Sequence, residues 1–157
     1  MNVGVLRSIN ISPGGVPKRS VPAVRIGLSG REGDGHDDPR HGAPDAAVCL
    51  FSLEMITRIA AEGHPIAPGS TGENLTIEGL DWSHVVPGVR LRLGNVTLEV
   101  TKFTIPCRTI RASFREGDVS RIHPERHPGE SRVYARVLTE GFVKAGAPIE
   151  LVRGEDA

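Results

Sequence analysis

Cys107 stands in the run Ile105-Pro106-Cys107-Arg108-Thr109-Ile110, with Arg111 close behind. A thiol acts as nucleophile or metal ligand in its thiolate form, and cationic neighbours such as Arg108 and Arg111 favour that form. Pro106 fixes the backbone just before the sulfur and removes one amide donor. The chemistry this suggests is that of a soft anionic ligand or nucleophile held on a stiff loop. The same sulfur also suits a half-buried structural position, since free cysteine is among the most buried residue types. Histidines offer a second chemistry. His123 and His127 are four apart, His36 and His41 lie in an acidic loop, and two of them with Cys107 would make a zinc set. Pro124 disfavours a helix at position 123, however, and no compact Cys/His set is present. Asp34, Asp37 and Asp38 lack the spacing of an EF-hand calcium loop.

The 157 residues suit one domain, spanning 1–157, with enough chain for a core that needs no disulfides. Nineteen Lys and Arg balance nineteen Asp and Glu, so no global field draws nucleic acid or an acidic membrane. Stacking residues are also scarce, with one Trp, one Tyr and four Phe, which argues further against nucleic acid. Cys49 and Cys107 are far apart and form no CxxC pair, so a reducing cytoplasm is the simpler setting. No signal peptide and no apolar run of membrane-spanning length is expected.

The elements that must position these residues are short. Nineteen glycines and twelve prolines imply many turns. Residues 2–7 read as a strand, and 21–28 as another, with Pro22 marking an edge. Residues 29–46 read as a long polar loop. The apolar run 46–51 reads as a buried strand. Ser52 then caps a helix carrying Leu53, Ile56, Ile59 and Ala60, with Gly63 at its end. A strand-like stretch begins at Glu73-Asn74-Leu75-Thr76-Ile77. Val89, Leu91 and Leu93 alternate with arginines, Gly94-Asn95 turns, and Val96, Leu98 and Val100 return, which is a hairpin. Residues 132–140 read as a second short helix bearing Val133, Val137 and Leu138 and stopped by Gly141. Pro148 to Val152 reads as a closing strand. Cys107 falls just after the hairpin. The expected class is mainly β, a mostly antiparallel barrel with a few short helices.

Several strings together resemble the MOSC family, named for the C-terminal domain of molybdenum cofactor sulfurases. They are Ser12-Pro13-Gly14-Gly15-Val16-Pro17-Lys18, the stretch from Gly33 to Val48 with its acidic loop and His41-Gly42 step, Gly72-Glu73-Asn74-Leu75-Thr76, the Pro106-Cys107 step, and His127-Pro128-Gly129 with Tyr134-Ala135-Arg136-Val137-Leu138. They follow in order over nearly the whole chain. The resemblance implies a β-barrel and the molybdenum cofactor (molybdopterin), with the cysteine as metal ligand and reduction of N-hydroxylated compounds as the activity. Its other implication is a non-catalytic sulfur or cofactor carrier holding a persulfide on Cys107. The chain departs from the family at Thr104, where Arg is common, and at Ala43, where a second glycine is common. The C-terminal segment of longer reductase members is expected to be absent. A partner would then supply electrons to a reductase, or a cysteine desulfurase would supply sulfur to a carrier.

The resemblance assigns roles residue by residue. Lys18, Arg19, Arg25 and Arg40 are the expected cations for the cofactor phosphate, with Arg108 or Arg111 replacing the arginine missing at Thr104. Glu73 and Asn74 are expected to offer donors and acceptors to the pterin, although both also suit turn chemistry. Cys107 is the expected metal ligand. His41 or Asp45 is the expected proton donor. Cys49 is expected in the core.

Overall fold

A computed structural model describes residues 2–28, 30–31 and 44–153. The first strand, β1 (Val3–Ile11), is followed by β2 (Arg19–Val21), β3 (Ala23–Gly27), β4 (Gly30–Arg31) and β5 (Val48–Ser52). Helix α1 (Leu53–Ala61) leads to β6 (Leu75–Glu78), and the hairpin β7 (Arg90–Leu93) and β8 (Val96–Phe103) follows. After a run of 3₁₀ turns between residues 108 and 122 come β9 (Val133–Thr139), β10 (Gly141–Lys144) and β11 (Pro148–Val152).

The main sheet runs β11-β7-β8-β9-β5-β6-β1-β2, and β11 also pairs with β1. That last pairing, Val3 opposite Glu150 and Val5 opposite Pro148, closes seven strands into a barrel and leaves β2 as an appended edge. Closure removes the unpaired edges an open sheet would expose. All pairings in the ring are antiparallel except β5 with β6, which α1 joins as a crossover. Strand β3 lies between β10 and β4 in a small second sheet. Pro22, which has no N–H to give, separates β2 from β3.

The barrel fills with the inward side chains. Leu6, Ile9, Leu50, Leu75, Ile77, Leu91, Leu98 and Ile149 are all but inaccessible. Phe51, next to Leu50 on β5, points to the opposite face and is buried against Trp82. The hairpin is as expected, Leu91 facing Leu98 and Leu93 facing Val96. Helix α1 also starts as expected: the Ser52 hydroxyl accepts from the Met55 amide at 3.1 Å. Met55, Ile56 and Ile59 are buried beneath it.

The second helix expected over 132–140 is a strand instead. Val133 and Val137 are four residues apart, a spacing that one helix face and one strand face share. Ala135 between them is buried and Leu138 is exposed, which is period two. β-branched and aromatic residues along the segment favour the extended form. Gly141, expected as a helix stop, opens β10 and lets its backbone approach Val96.

Candidate functional site

At one end of the barrel the C-terminal part of β1, the turn 69–74, the segment 104–113 after β8 and Ser131-Arg132 before β9 come together. The turn is fixed first. Gly69 has φ +84°, and a Cβ there would lie 2.5 Å from the Lys18 carbonyl oxygen, so glycine is required. The Lys18 amide in turn donates to the Gly69 carbonyl at 3.0 Å. The segment 12–18, with its cis Val16–Pro17 bond, is thereby laid against 69–72, where Val16 lies beside Gly72.

Glu73 and Asn74 are buried in the wall behind this turn. The Glu73 carboxylate accepts from the Gly69 amide at 2.9 Å, the Thr71 hydroxyl at 2.7 Å and the Thr76 hydroxyl at 3.1 Å. Burial pushes its pKa above the ordinary carboxylate value, opposed chiefly by the hydrogen bonds from Gly69 and Thr71 and by the charge of Arg132. Asn74 ties β5 to β1: its Oδ1 accepts from the Cys49 amide at 2.9 Å and its Nδ2 donates to the Asn10 carbonyl at 3.4 Å. Asn10, also buried, donates to the Glu73 carbonyl and to Thr76 Oγ1. These side chains spend their polar groups on one another and hold the strand ends in register.

Cys107 lies half-buried at the start of the 3₁₀ turn Arg108–Ser113, in extended backbone. Its carbonyl accepts from the Ile110 amide at 3.3 Å, and its thiol has no hydrogen bond among the described residues. The segment is anchored on both sides. Thr104 is buried and its amide donates to the Arg132 carbonyl at 2.9 Å. Ser113 Oγ donates to the Ser70 carbonyl at 3.1 Å. Arg108 and Arg111 are exposed, Arg111 folding back to donate to the Arg108 carbonyl at 3.0 Å. Cys49 is in the core as expected, its sulfur 3.8 Å from Thr104 Oγ1.

The expected cations Lys18 and Arg19 sit on the segment against Gly69, with Arg19 opposite Ile11. Arg25 lies on β3, 3.9 Å from Glu140, away from this end. Asp45 pairs with Lys102 at 3.3 Å, and its carbonyl accepts from the Thr101 hydroxyl. Arg40 and His41, with His36, Asp34, Asp37 and Asp38, lie outside the described residues. Among the described residues no group of His, Cys, Asp and Glu is arranged to hold a metal ion, which places His123, His127 and Cys107 in no common zinc site.

One residue here carries no sequence signal. Arg132 is 6% exposed. Its Nη1 donates to the Thr71 carbonyl at 2.6 Å, and its Nε is buried with no acceptor. Trp82 fixes the backbone beside it by donating from Nε1 to the Ser131 carbonyl at 2.7 Å. In the sequence Arg132 is one arginine among many after a polar run, and nothing local marks it as buried.

Residues 37–150 match the MOSC domain. The chain belongs to the MOSC domain family. This family is associated with molybdenum cofactor binding. Among its relatives, YflK of Bacillus subtilis is 34% identical over 151 residues, which is 90% of this chain and 65% of YflK. YiiM of Escherichia coli is 32% identical over 129 residues, 78% of this chain and 56% of YiiM. The chain therefore spans somewhat under two thirds of the length of these relatives. The crystal structure of YiiM from Geobacillus stearothermophilus superposes with a TM-score of 0.76 at 26% identity, covering 95% of this chain and 75% of that one. YuaD of Bacillus subtilis has the same fold, with a TM-score of 0.76 at 18% identity and 96% of each chain covered. No helix among the described residues is long and apolar enough to cross a membrane.

Proposed function

We propose that this MOSC chain holds the molybdenum cofactor at the loop-lined end of its barrel, with Cys107 as protein ligand to the metal, and reduces N-hydroxylated compounds. The observation that carries this reading is the Cys107 thiol: half-buried, anchored on both sides and without a hydrogen bond among the described residues. A thiolate suits a soft metal already bound by sulfur. A free thiol and a buried guanidinium edge without an acceptor fit a group that brings both a soft metal and an anion.

When bound, the cofactor supplies a redox metal able to accept oxygen. In the net change the N–O bond breaks, a pair of electrons and a pair of protons are consumed, and the oxygen leaves as water. The electrons come from a partner reductase, in the cytoplasm, where both cysteines stay reduced. Lys18, Arg19, Arg40 and Arg108 neutralise the phosphate. Glu73 and Asn74 would order the wall that faces the pterin. His41 or Asp45 delivers protons to the departing oxygen.

The test is metal and pterin content of wild type and Cys107→Ala, purified from a host that makes the cofactor. Near-stoichiometric molybdenum in wild type and its loss in the variant is the expected result, followed by turnover of an N-hydroxylated substrate with an artificial electron donor. Wild type free of molybdenum and pterin overturns the reading. A persulfide on Cys107 would then point to a sulfur carrier.

A further inference from the structure

We infer that the Nε/Nη2 edge of Arg132 is an oxyanion-binding site of the phosphate class, the buried anchor of the site proposed above. The inference deepens that reading, but its physical basis is separate. A buried guanidinium normally has a carboxylate, or acceptors for each of its nitrogens. Arg132 has one acceptor, the Thr71 carbonyl, taken by Nη1. Nε is sealed from water and has no partner. Nη2 has no hydrogen bond among the described residues either, and it is not sealed. Nε and Nη2 form the side of the planar fork that can bind two oxygens of a phosphate or carboxylate. Nη2 is the point of entry, and a second oxygen reaches Nε once the atoms covering it give way.

The neighbouring acid does not fill this role. The Glu73 carboxylate is taken up by Gly69, Thr71 and Thr76, and it makes no ion pair with Arg132. The guanidinium cannot swing away to find water. Its backbone is held on both sides, by Trp82 at Ser131 and by Thr104 at its own carbonyl, while Nη1 is fixed to the turn. The chain thus keeps a rigid, largely dehydrated cation with one unpartnered edge, accessible at Nη2, and the electrostatic cost falls when an anion docks there. Its position also suits such a ligand. Thr104, bonded to the Arg132 backbone, begins the segment that carries Cys107, and Thr71, bonded to its side chain, lies in the turn beside Lys18. The anion is either the phosphate of a bound cofactor or free phosphate, and the two sources are separable.

The full chain is prepared as wild type, Arg132→Gln and Arg132→Lys. Cofactor-free protein is titrated with inorganic phosphate against chloride at matched ionic strength, following the thermal midpoint and the Arg132 Nε–H resonance. Expected is a phosphate-specific rise in wild type with a shift of that resonance. Binding weakens about tenfold or more in Arg132→Gln, as loss of a charge-assisted hydrogen bond gives, and in part in Arg132→Lys. Pterin retained through purification should fall in parallel if the cofactor is the source. Phosphate binding that depends on Arg132, in a protein that retains no pterin, upholds the anion site and overturns the cofactor reading. Phosphate binding undiminished in Arg132→Gln, or an unmoved Nε–H resonance in wild type, overturns the inference and leaves Cys107 ligation standing, whereas full pterin retention in Arg132→Gln with phosphate binding lost assigns the site to free phosphate. Should Arg132→Gln fail to fold, the wild-type resonance and Arg132→Lys decide.

Discussion

Arg121 and Arg132 are eleven positions apart and both largely buried, yet the chain treats them in opposite ways. Arg121, in the 3₁₀ turn Val119–Ile122, grips Glu62 at the end of α1 with two hydrogen bonds, of 2.7 and 2.9 Å. Its Nη1 lies 2.9 Å from Glu130, close enough for an ion pair though off the hydrogen-bond axis. Every nitrogen of this guanidinium faces a carboxylate. Arg132 donates to one backbone carbonyl and makes no ion pair among the described residues, although Glu73 lies near enough to feel its charge. The first arrangement is a clamp, which joins α1 to the turns that follow Cys107. The second keeps a charge in reserve at the end of the barrel. The difference teaches that burial alone does not identify a structural arginine; the inventory of its acceptors does.

The largest expected effect tests whether the turn that holds Arg132 is obligatory. Gly69→Ala sets a methyl against the Lys18 backbone in a left-handed conformation, and unfolding in urea should show a loss of about 2–4 kcal/mol. A smaller loss would mean that the two loops can part, and that the Arg132 edge is less rigid than described. Next, Arg121→Met should cost about 1–2 kcal/mol, discounted for the exposure of its partner Glu62, and leave phosphate binding as it was. Arg132→Met should change stability by no more than about 1 kcal/mol, because relief of an uncompensated buried charge offsets the lost bond to Thr71. Equal losses in the two variants would erase the distinction between clamp and reserve.

The smallest effect concerns the acids beside these arginines, and its sign differs between them. Burial raises the pKa of Glu73, so folded protein holds that proton more tightly than unfolded protein does. Its contribution is full below the ordinary carboxylate pKa and is lost as pH rises through the raised value. The hydrogen bond from Arg121 lowers the pKa of Glu62, whose contribution is present above the ordinary value and lost as pH falls. Stability measured against pH for wild type, Glu73→Gln and Glu62→Gln should show the two difference curves sloping in opposite directions. Parallel slopes would contradict the assignment.

Much of the barrel was legible because local rules and the fold agree. The hairpin around Gly94-Asn95 needs only alternation and a turn pair. The start of α1 needs only Ser52 before an apolar helical face. The segment 133–139 misled because valines four apart satisfy both periodicities, and only burial of Ala135 against exposure of Leu138 separates them. The site was legible in part. Cys107 stands out through its proline and arginines, and Glu73-Asn74 through the glycine before them. Arg132 and Asn10 were silent, since the partners that give them meaning are distant in the chain: Arg132 is 61 residues from Thr71 and Asn10 is 66 from Thr76.

The sequence by itself determined the β class, the hairpin, the capped helix, the family resemblance and the cysteine around which the chemistry is proposed. These rest on side-chain periodicity, turn residues and short ordered strings, which are properties of neighbours along the chain. The tertiary structure alone decided that β11 returns to β1 to close the barrel, that Glu73 and Asn74 spend their polar groups within the wall, and that Arg132 is buried with an open edge. Those outcomes depend on which distant groups desolvate one another, and desolvation is set only when the strands have come together.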